Sequence, residues 1–291
     1  MKPAGRTIEA VGSAPDLEAA ARLLEPAGRE TRKLRRFGLN VFQTGTVFLM
    51  LCAAWELLSR WDPPFWPRII LPPITEIAAA FFRAITTGFV WHHLWVTVQE
   101  GMAGFLIGSA VAFAIGVLIA LSPLFSRATY PLIVAFQSMP HSALAPVFIA
   151  WLGFGMRSKI ALVITSCFFP VLVSTVAGLR IIDENKLLLM RSFRATTFQE
   201  FFRLRLPNAM PTIFAGIQTA AVAGVVSAVF AELIGSQEGM GHVIKAASFQ
   251  FRMADVFAYL IVLSLVGLAV FGIVVIIQRR VIAWSREPVT E

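Results

Sequence analysis

The chain has 291 residues, of which 57% are hydrophobic and 14% charged, and its mean hydropathy is +0.74. These values exclude an ordinary soluble domain and predict an all-α integral membrane protein. The formal net charge of +8 argues little for nucleic-acid binding, because the basic residues do not gather into one soluble patch.

The first third of the chain is predicted to cross the membrane once, with prolines ending the helix after this first span. Residues 1–38 read as a mixed-charge cytoplasmic tail, and residues 39–58 as the first transmembrane helix, since about 20 residues span a bilayer. No cleavable signal peptide is expected, because this apolar run starts late and has no small-residue cleavage site after it. Prolines then interrupt the helix, and residues 59–95 are predicted as an external loop with an amphipathic helix over 74–95.

Residues 96–278 form the predicted core of the membrane domain, followed by a cytoplasmic tail at 279–291. Five more apolar segments bring the expected total to about six transmembrane helices; they are 101–126, 128–156, 160–179, 209–231 and 257–277. The segment 128–156 is the least regular, because it contains His141 and three prolines. Gly104, Gly108, Ala112 and Gly116 place small residues on one helix face, which favours close packing within the chain over a dimer contact.

The distribution of basic residues predicts the orientation. With the N-terminus in the cytoplasm, 18 of the 25 Lys and Arg residues fall in cytoplasmic segments. This excess predicts that both termini and the loop 182–211 are cytoplasmic.

The loop 182–211 is charged and lies between two apolar runs. Asp183 and Glu184 suit the start of a short helix. Thr197 and Glu200 match a capping box that begins a second helix, and Pro207 is expected to end it. Four phenylalanines make this loop too apolar to be free in the cytosol, so it is expected either to lie on the lipid surface or to pack on protein; they are Phe193, Phe198, Phe201 and Phe202.

Several patterns of catalytic chemistry are missing from the sequence. It contains no Gly-x-x-x-x-Gly-Lys-Ser/Thr, no His-Glu-x-x-His and no Gly-x-Ser-x-Gly. The adjacent His92 and His93 point to different helix faces and do not suit a shared metal. We therefore expect a chain that is not an enzyme and has no catalytic, metal or cofactor-binding residues; any ATP would be bound by a separate subunit.

The order of motifs resembles the permeases of type I ABC importers. Residues 190–195 with Leu206–Pro207 are similar to the EAA loop of that family, which forms coupling helices between spans four and five. Further stretches resemble its nitrate/sulfonate/taurine/bicarbonate branch; they are 137–140, 143–146, 151–155, 168–170, 175–180, Ala231–Glu232 and 239–241. The likeness covers about residues 70–285.

The resemblance implies an assembly and a set of coupling residues. It implies two permease copies around one pathway, two ATPase subunits that bind ATP and dock on the coupling helices, and an external or lipid-anchored substrate-binding protein. The residues that would contact the ATPase are Arg191, Ser192, Phe193, Arg194, Ala195, Thr196, Thr197, Glu200, Leu206 and Pro207. Arg194 stands where the family usually has Gly, so it either adopts a left-handed conformation at about 1 kcal/mol or changes the turn.

Polar residues within apolar spans are candidates for the translocation pathway, because such residues are costly in lipid. The candidates are Gln137, Ser138, Met139, His141, Gln218 and Glu232. Further candidates are Glu100, Ser166, Thr175, Thr219 and Ser227; the alternatives are that the hydroxyls bond to their own helix and that Glu100 and Glu232 simply sit at span ends.

The prediction is thus the plasma-membrane permease subunit of an ATP-driven bacterial importer for a small solute, nitrate-, sulfonate- or taurine-like. The alternatives are a secondary transporter not driven by ATP and a membrane-embedded enzyme. The first would need inverted repeats, which are not seen, and the second a nucleophile with a base or a metal cluster. The sequence does not determine the substrate, because relatives of this branch also resemble importers of vitamin precursors and aromatic acids.

Overall fold

The structure is a computed structural model that describes residues 43–61, 70–137 and 139–282, apart from a few side chains of one helix. These residues form helices and no strands. The chain divides into two units, Met1–Pro64 and Phe65–Glu291. The described part of the first unit is helix α1, residues 43–61, which lies within and just beyond the predicted first span.

The second unit is a helical bundle. Its α-helices in chain order are α2 (Ile74–Thr86), α3 (Phe89–Leu121), α4 (Pro123–Gln137), α5 (Ala145–Leu152), α6 (Met156–Arg180), α7 (Glu184–Ser192), α8 (Thr197–Glu200), α9 (Leu206–Gly235), α10 (Met240–Phe249) and α11 (Met253–Val281). A 3₁₀ turn, His141–Leu144, precedes α5, and a π-helical turn, Phe201–Arg205, joins α8 to α9.

Among the described residues, four helices are long and apolar enough to cross a membrane: Phe89–Leu121, Met156–Arg180, Thr197–Gly235 and Met253–Val281. They contain the predicted fourth, fifth and sixth spans entirely, whereas the predicted second span, 101–126, extends past the end of α3 at Leu121. The predicted third span, 128–156, is not one continuous helix. It is divided between α4, the 3₁₀ turn and α5, because Pro140 and Pro146 lack the amide hydrogens that a continuous helix needs.

The amphipathic helix predicted over 74–95 is shorter than expected. Helix α2 ends at Thr86, since Gly88 adopts φ +76° and turns the chain. Helix α3 starts at Phe89, so His92 and His93 belong to the first turns of a membrane helix.

Close packing of α3 and α9 on α6 builds the centre of the bundle. A Cβ added at Gly104 would lie 2.5 Å from the Val163 Cβ, and one added at Gly116 would lie 2.8 Å from the Thr175 Cβ. Ala112 between them is fully buried. The small residues of α3 therefore pack within the chain, as predicted, and they bring the backbones of α3 and α6 together.

Candidate functional site

Helices α7 and α8 lie where α6 ends and α9 begins, at one end of the bundle. The side chain of Asp183 accepts a hydrogen bond from the Asn185 amide at 2.9 Å, and Glu184 occupies the first turn of α7. Both acidic groups stabilise the helix N-terminus, as the sequence predicted.

The turn after α7 keeps the geometry of a glycine turn although its key residue is Arg194. This arginine has φ +54°, in the left-handed region. Its amide donates to the Arg191 carbonyl at 2.9 Å, and the Ala195 amide donates to the Met190 carbonyl at 3.1 Å. These two bonds form a Schellman motif that ends α7. The left-handed alternative stated for Arg194 is the one observed.

The capping box of α8 is present, but it begins one residue earlier than predicted. The Thr196 hydroxyl accepts from the Gln199 amide, and the Gln199 side chain accepts from the Thr196 amide. Glu200 therefore takes no part in the capping box. It accepts from the Arg205 Nε at 2.7 Å and lies 3.8 Å from the Arg191 Nε, so it ties α7 to the start of α9.

Pro207 does not end a helix, contrary to the prediction. Residues Thr197–Gly235 form one continuous helical segment in which Pro207 sits in the first turn of α9. The π-helical turn before it accommodates the ring, since the Leu206 amide bonds five residues back to the Phe201 carbonyl.

The α7–α8 end presents apolar side chains outward. Phe193 is 77% exposed and Phe198 70% exposed, and the Phe198 and Phe202 rings lie 4.4 Å apart. Leu188 and Leu189 on α7 are also exposed. An apolar surface of this kind, interspersed with arginines, is typical of a surface that another molecule covers.

The opposite end of the bundle is organised around the start of α10. Its first three amides each meet an acceptor from another helix. The Gly239 amide donates to His93 Nδ1 at 3.2 Å, the Met240 amide to Thr97 Oγ1 at 2.8 Å, and the Gly241 amide to Glu232 Oε2 at 2.7 Å. Thr97 Oγ1 in turn donates to Glu232 Oε1 at 2.7 Å. We call this group, with its acceptors His93, Thr97 and Glu232, the α10 cap.

The α10 cap explains the glycines of the Gly239-Met-Gly241 motif. Gly239 has φ +96°, and a Cβ there would overlap the Glu232 carboxylate. A Cβ at Gly241 would lie 2.5 Å from the Val229 carbonyl oxygen. The carboxylate and α9 thus fill the space that side chains would need, so the two sequence motifs 231–232 and 239–241 form one structural unit.

A buried ion pair lies beside the α10 cap. The Lys159 Nζ is 2.6 Å from the Glu100 Oε1, and both side chains are almost fully buried. They line a cavity of about 640 Å³ together with Gln99, Phe154 and Glu238. Burial leaves each charge dependent on its partner.

A second cavity, of about 620 Å³, opens on the face that α6 and α9 share with the 3₁₀ turn. We call it the hydroxyl cavity. Its polar lining residues are His141, Ser142, Ser166, Ser174, Thr219 and Ser227, and its aromatic ones are Phe169 and Phe230. It lies along the membrane-spanning parts of α6 and α9, between the two ends described above.

The structure separates the six predicted pathway residues. His141 lines the hydroxyl cavity, and Met139 is exposed just before the 3₁₀ turn. Gln218 instead hydrogen-bonds to Gln278 of α11, and Glu232 is fully buried in the α10 cap. Ser138 and the side chain of Gln137 lie outside the described residues.

The sequence analysis did not identify Thr97 as part of the α10 cap or Lys159 as the partner of Glu100. Lys159 is buried near the start of α6. The available signal was a carboxylate and an ammonium group near the starts of two apolar segments, since charged side chains in a membrane usually pair with one another.

Comparison with known proteins agrees with this geometry. Residues 104–283 match the family described as "Binding-protein-dependent transport system inner membrane component". The chain belongs to this family.

Relatives support the same assignment, and a solved structure shares the fold. The formylaminopyrimidine transport permease protein ThiX of Halalkalibacterium halodurans is 31% identical over 82% of this chain and 94% of its own. The putative aliphatic sulfonates transport permease protein SsuC of Bacillus subtilis is 29% identical over 95% and 96%. The inward-facing MetNI methionine ABC transporter, 16% identical, matches 65% of this chain and 94% of that one with a TM-score of 0.58.

The family member described here is a multi-pass inner-membrane permease subunit of an ABC importer, with the type I importer fold. Such a subunit works with an ATPase and a substrate-binding protein. ATP-driven import is favoured over secondary transport by these similarities.

Proposed function

We propose that two copies of this permease form a pathway for a small organic solute and that an ATPase subunit docks on α7 and α8. The observation that carries the proposal is the apolar surface of Phe193, in the turn that ends α7, and Phe198 on α8, exposed beside two capped helices. Two exposed phenylalanines on short, well-capped helices suit a groove in a protein partner, because the caps fix their positions before binding.

The proposed orientation puts α7, α8 and both termini in the cytoplasm. The 18 of 25 basic residues assigned to cytoplasmic segments support it. The α10 end then faces outward, where the substrate-binding protein would dock.

The proposed energy source is ATP bound by two copies of the partner subunit. This chain would supply no ATPase site and no cofactor-binding residue. Closure of the ATPase pair would move α7 and α8, and the Glu200 contacts to Arg191 and Arg205 would transmit that movement to α9. Of the ten predicted coupling residues, the exposed ones on α7, on α8 and in the turn between them would contact the ATPase. The buried Glu200, with Leu206 and Pro207, would carry the movement into α9.

The proposed substrate is a small solute of one of two kinds. Relatives are named for aliphatic sulfonates and taurine, and others for formylaminopyrimidine and riboflavin. The hydroxyl cavity is the part of the pathway that each copy would contribute, with His141 as its predicted residue. Met139, exposed just before the 3₁₀ turn, would line its approach, and Gln137 and Ser138 stay predicted pathway residues.

Co-purification of the tagged chain from membranes tests the proposal. We expect a stoichiometric ATPase subunit that is lost when 192–197 is replaced by a Gly/Ser linker. A matched replacement of the three residues 236–238 at the opposite end should retain the ATPase. A chain that purifies alone and moves solute without ATP would favour the secondary transporter.

A further inference from the structure

Two buried carboxyl groups meet at the α10 end of the bundle. Glu100 is 1% exposed, and Glu232 is fully buried. Thr97 and Glu100 lie one turn apart on α3, and Thr97 hydrogen-bonds to Glu232. A Cβ added at Gly101 would lie 3.7 Å from the Ala228 Cβ, so the backbones of α3 and α9 are close here. This contact brings the carboxyl groups of Glu100 and Glu232 within hydrogen-bonding reach of each other.

One oxygen of the two carboxyl groups has no donor. Glu232 accepts from Thr97 through Oε1 and from the Gly241 amide through Oε2. Glu100 accepts from the Lys159 Nζ through Oε1, but its Oε2 is buried and has no hydrogen-bond partner among the described residues. Ionised carboxylates only accept hydrogen bonds, whereas a protonated carboxyl group donates one. A proton between the two groups would therefore supply the missing donor.

The charges around the pair also leave room for one proton. Lys159 of α6 acts on both carboxyl groups, and Glu238, in the turn before α10, adds a negative charge near Glu100. Two buried carboxylates beside one ammonium group would leave a net negative charge in a low-dielectric environment, which is unfavourable.

The other titratable groups near this end have partners of their own or lie farther out. They are His92 with Glu238, His93 with the Gly239 amide, His242 with the Ser236 carbonyl, Asp255 with Arg83 and Arg252, the exposed Arg157 of α6, and Lys245 one turn further along α10. Helix α5 has no titratable residue. Lys159 is thus the cation that compensates the pair.

We propose that Glu100 and Glu232 form a proton-binding site, in which Glu232 holds one proton and donates it to the Glu100 Oε2. Lys159 keeps Glu100 ionised, so the proton stays on Glu232 and the buried cluster is neutral. The cavity that Glu100 lines gives the proton a route to water. When the proton leaves, two adjacent carboxylates share one cation. Their repulsion weakens the hold of Glu232 on the Gly241 amide, so the proton keeps the α10 cap closed.

Infrared spectroscopy of the purified full chain in a maltoside detergent detects the proton directly. A protonated carboxyl group has a carbonyl stretching band that an ionised carboxylate lacks. We expect this band near neutral pH, where an ordinary glutamic acid, with a pKa of about 4.3, is ionised. Glu232→Gln should abolish the band. Glu100→Gln should abolish it too, because Lys159 then becomes the partner of an ionised Glu232. Glu238→Gln removes an exposed carboxyl group at the same end and should retain it.

Unfolding by SDS in mixed micelles measures what the proton does for the fold. A proton that is bound in the folded chain and absent from the unfolded chain makes the unfolding equilibrium constant rise with pH. The rise is up to about tenfold per pH unit above the ordinary carboxyl pKa, until the folded chain also loses its proton. Glu232→Gln should remove this rise, whereas Glu238→Gln should keep it. Comparison of these two variants cancels the contribution of the histidines.

The inference is overturned if the unmodified chain has no protonated carboxyl band near neutral pH, or if the band survives in both Glu232→Gln and Glu100→Gln. It is also overturned if Glu232→Gln and Glu238→Gln show the same pH dependence of unfolding. Size-exclusion chromatography identifies a variant that does not fold, and the unmodified chain and the other glutamine variant then decide. These measurements use the chain without an ATPase, so their result is independent of the proposed function.

Discussion

The two ends of the bundle are stabilised in opposite ways. At the α10 end, buried polar groups from α3, α6 and α9 meet in the α10 cap and in the Glu100–Lys159 pair. At the α7–α8 end, the hydrogen bonds that shape the turn are local, and large apolar side chains face outward. The α10 end is thus held by buried contacts between helices, whereas the α7–α8 end takes its shape from local hydrogen bonds and exposes Phe193 and Phe198.

This difference indicates that the α10 end contributes mainly to the stability of the fold and the α7–α8 end mainly to association with a partner. Buried polar groups lose much free energy when a partner is removed, so they hold α10 in one position. Exposed aromatic residues contribute little to folding but much to association. Substitutions at the two ends should therefore affect different measurements.

The largest expected effect comes from breaking the buried ion pair. Lys159→Met leaves the Glu100 carboxylate buried without its cation and should lower the free energy of unfolding by about 3–5 kcal/mol. SDS-induced unfolding in mixed micelles measures it. The double variant Glu100→Gln/Lys159→Met should recover most of the loss, because no charge remains unpaired.

A surface pair provides the control for this prediction. Arg252→Met removes a half-exposed partner of Asp255 and should cost about 1 kcal/mol or less. An equal loss for Arg252→Met and Lys159→Met would contradict the distinction between buried and exposed pairs.

The next effect tests the fit of the α10 cap. Gly239→Ala should destabilise the protein by about 2 kcal/mol more than Gly153→Ala, because its Cβ displaces the Glu232 carboxylate from its hydrogen bonds. Both glycines have positive φ, but nothing lies within 4 Å of a Cβ at Gly153. Comparison of the two variants therefore separates the effect of steric overlap from that of backbone strain. Thermal unfolding of each variant measures its loss of stability. Equal destabilisation would show that the overlap is relieved without loss.

At the α7–α8 end the expected effect is on binding rather than folding. Phe193→Ala/Phe198→Ala should reduce recovery of the ATPase subunit at least about tenfold, as truncation of interface aromatics does. Thermal unfolding of the isolated chain should change little. Phe249→Ala, equally exposed on α10, is the matched control and should retain the ATPase. Unchanged recovery in the double variant would place the docking surface elsewhere.

The smallest effect concerns the strained turn. Arg194→Gly should raise the free energy of unfolding by up to about 1 kcal/mol, since Gly adopts a positive φ without steric cost. We expect the ATPase still to co-purify. Phe251→Gly relieves a similar φ of +55° at the other end and is the control for backbone relief alone. Loss of the ATPase with Arg194→Gly would show that the guanidinium makes a required contact.

Much of the membrane topology was predictable because it depends on local composition. Long uncharged runs identify the spans, and Asp183 and Glu184 identify the start of α7. The capping box was placed one residue too late, since both Thr196 and Thr197 offer a hydroxyl and only the turn after Arg194 decides which one caps. Pro207 was taken for a helix end because the sequence gives no sign of the π-helical turn that accommodates it.

The sequence by itself determined that the chain is a helical membrane protein, that a charged amphipathic loop interrupts its spans, and that its motifs follow those of a permease. These features follow from composition, spacing and chain order. Only the tertiary structure decided that Glu232 caps α10, that Glu100 pairs with Lys159, and that His141 stacks on Phe169. Those contacts join residues of different helices, and which side chains meet depends on how closely small residues such as Gly104 and Gly216 let the helices approach.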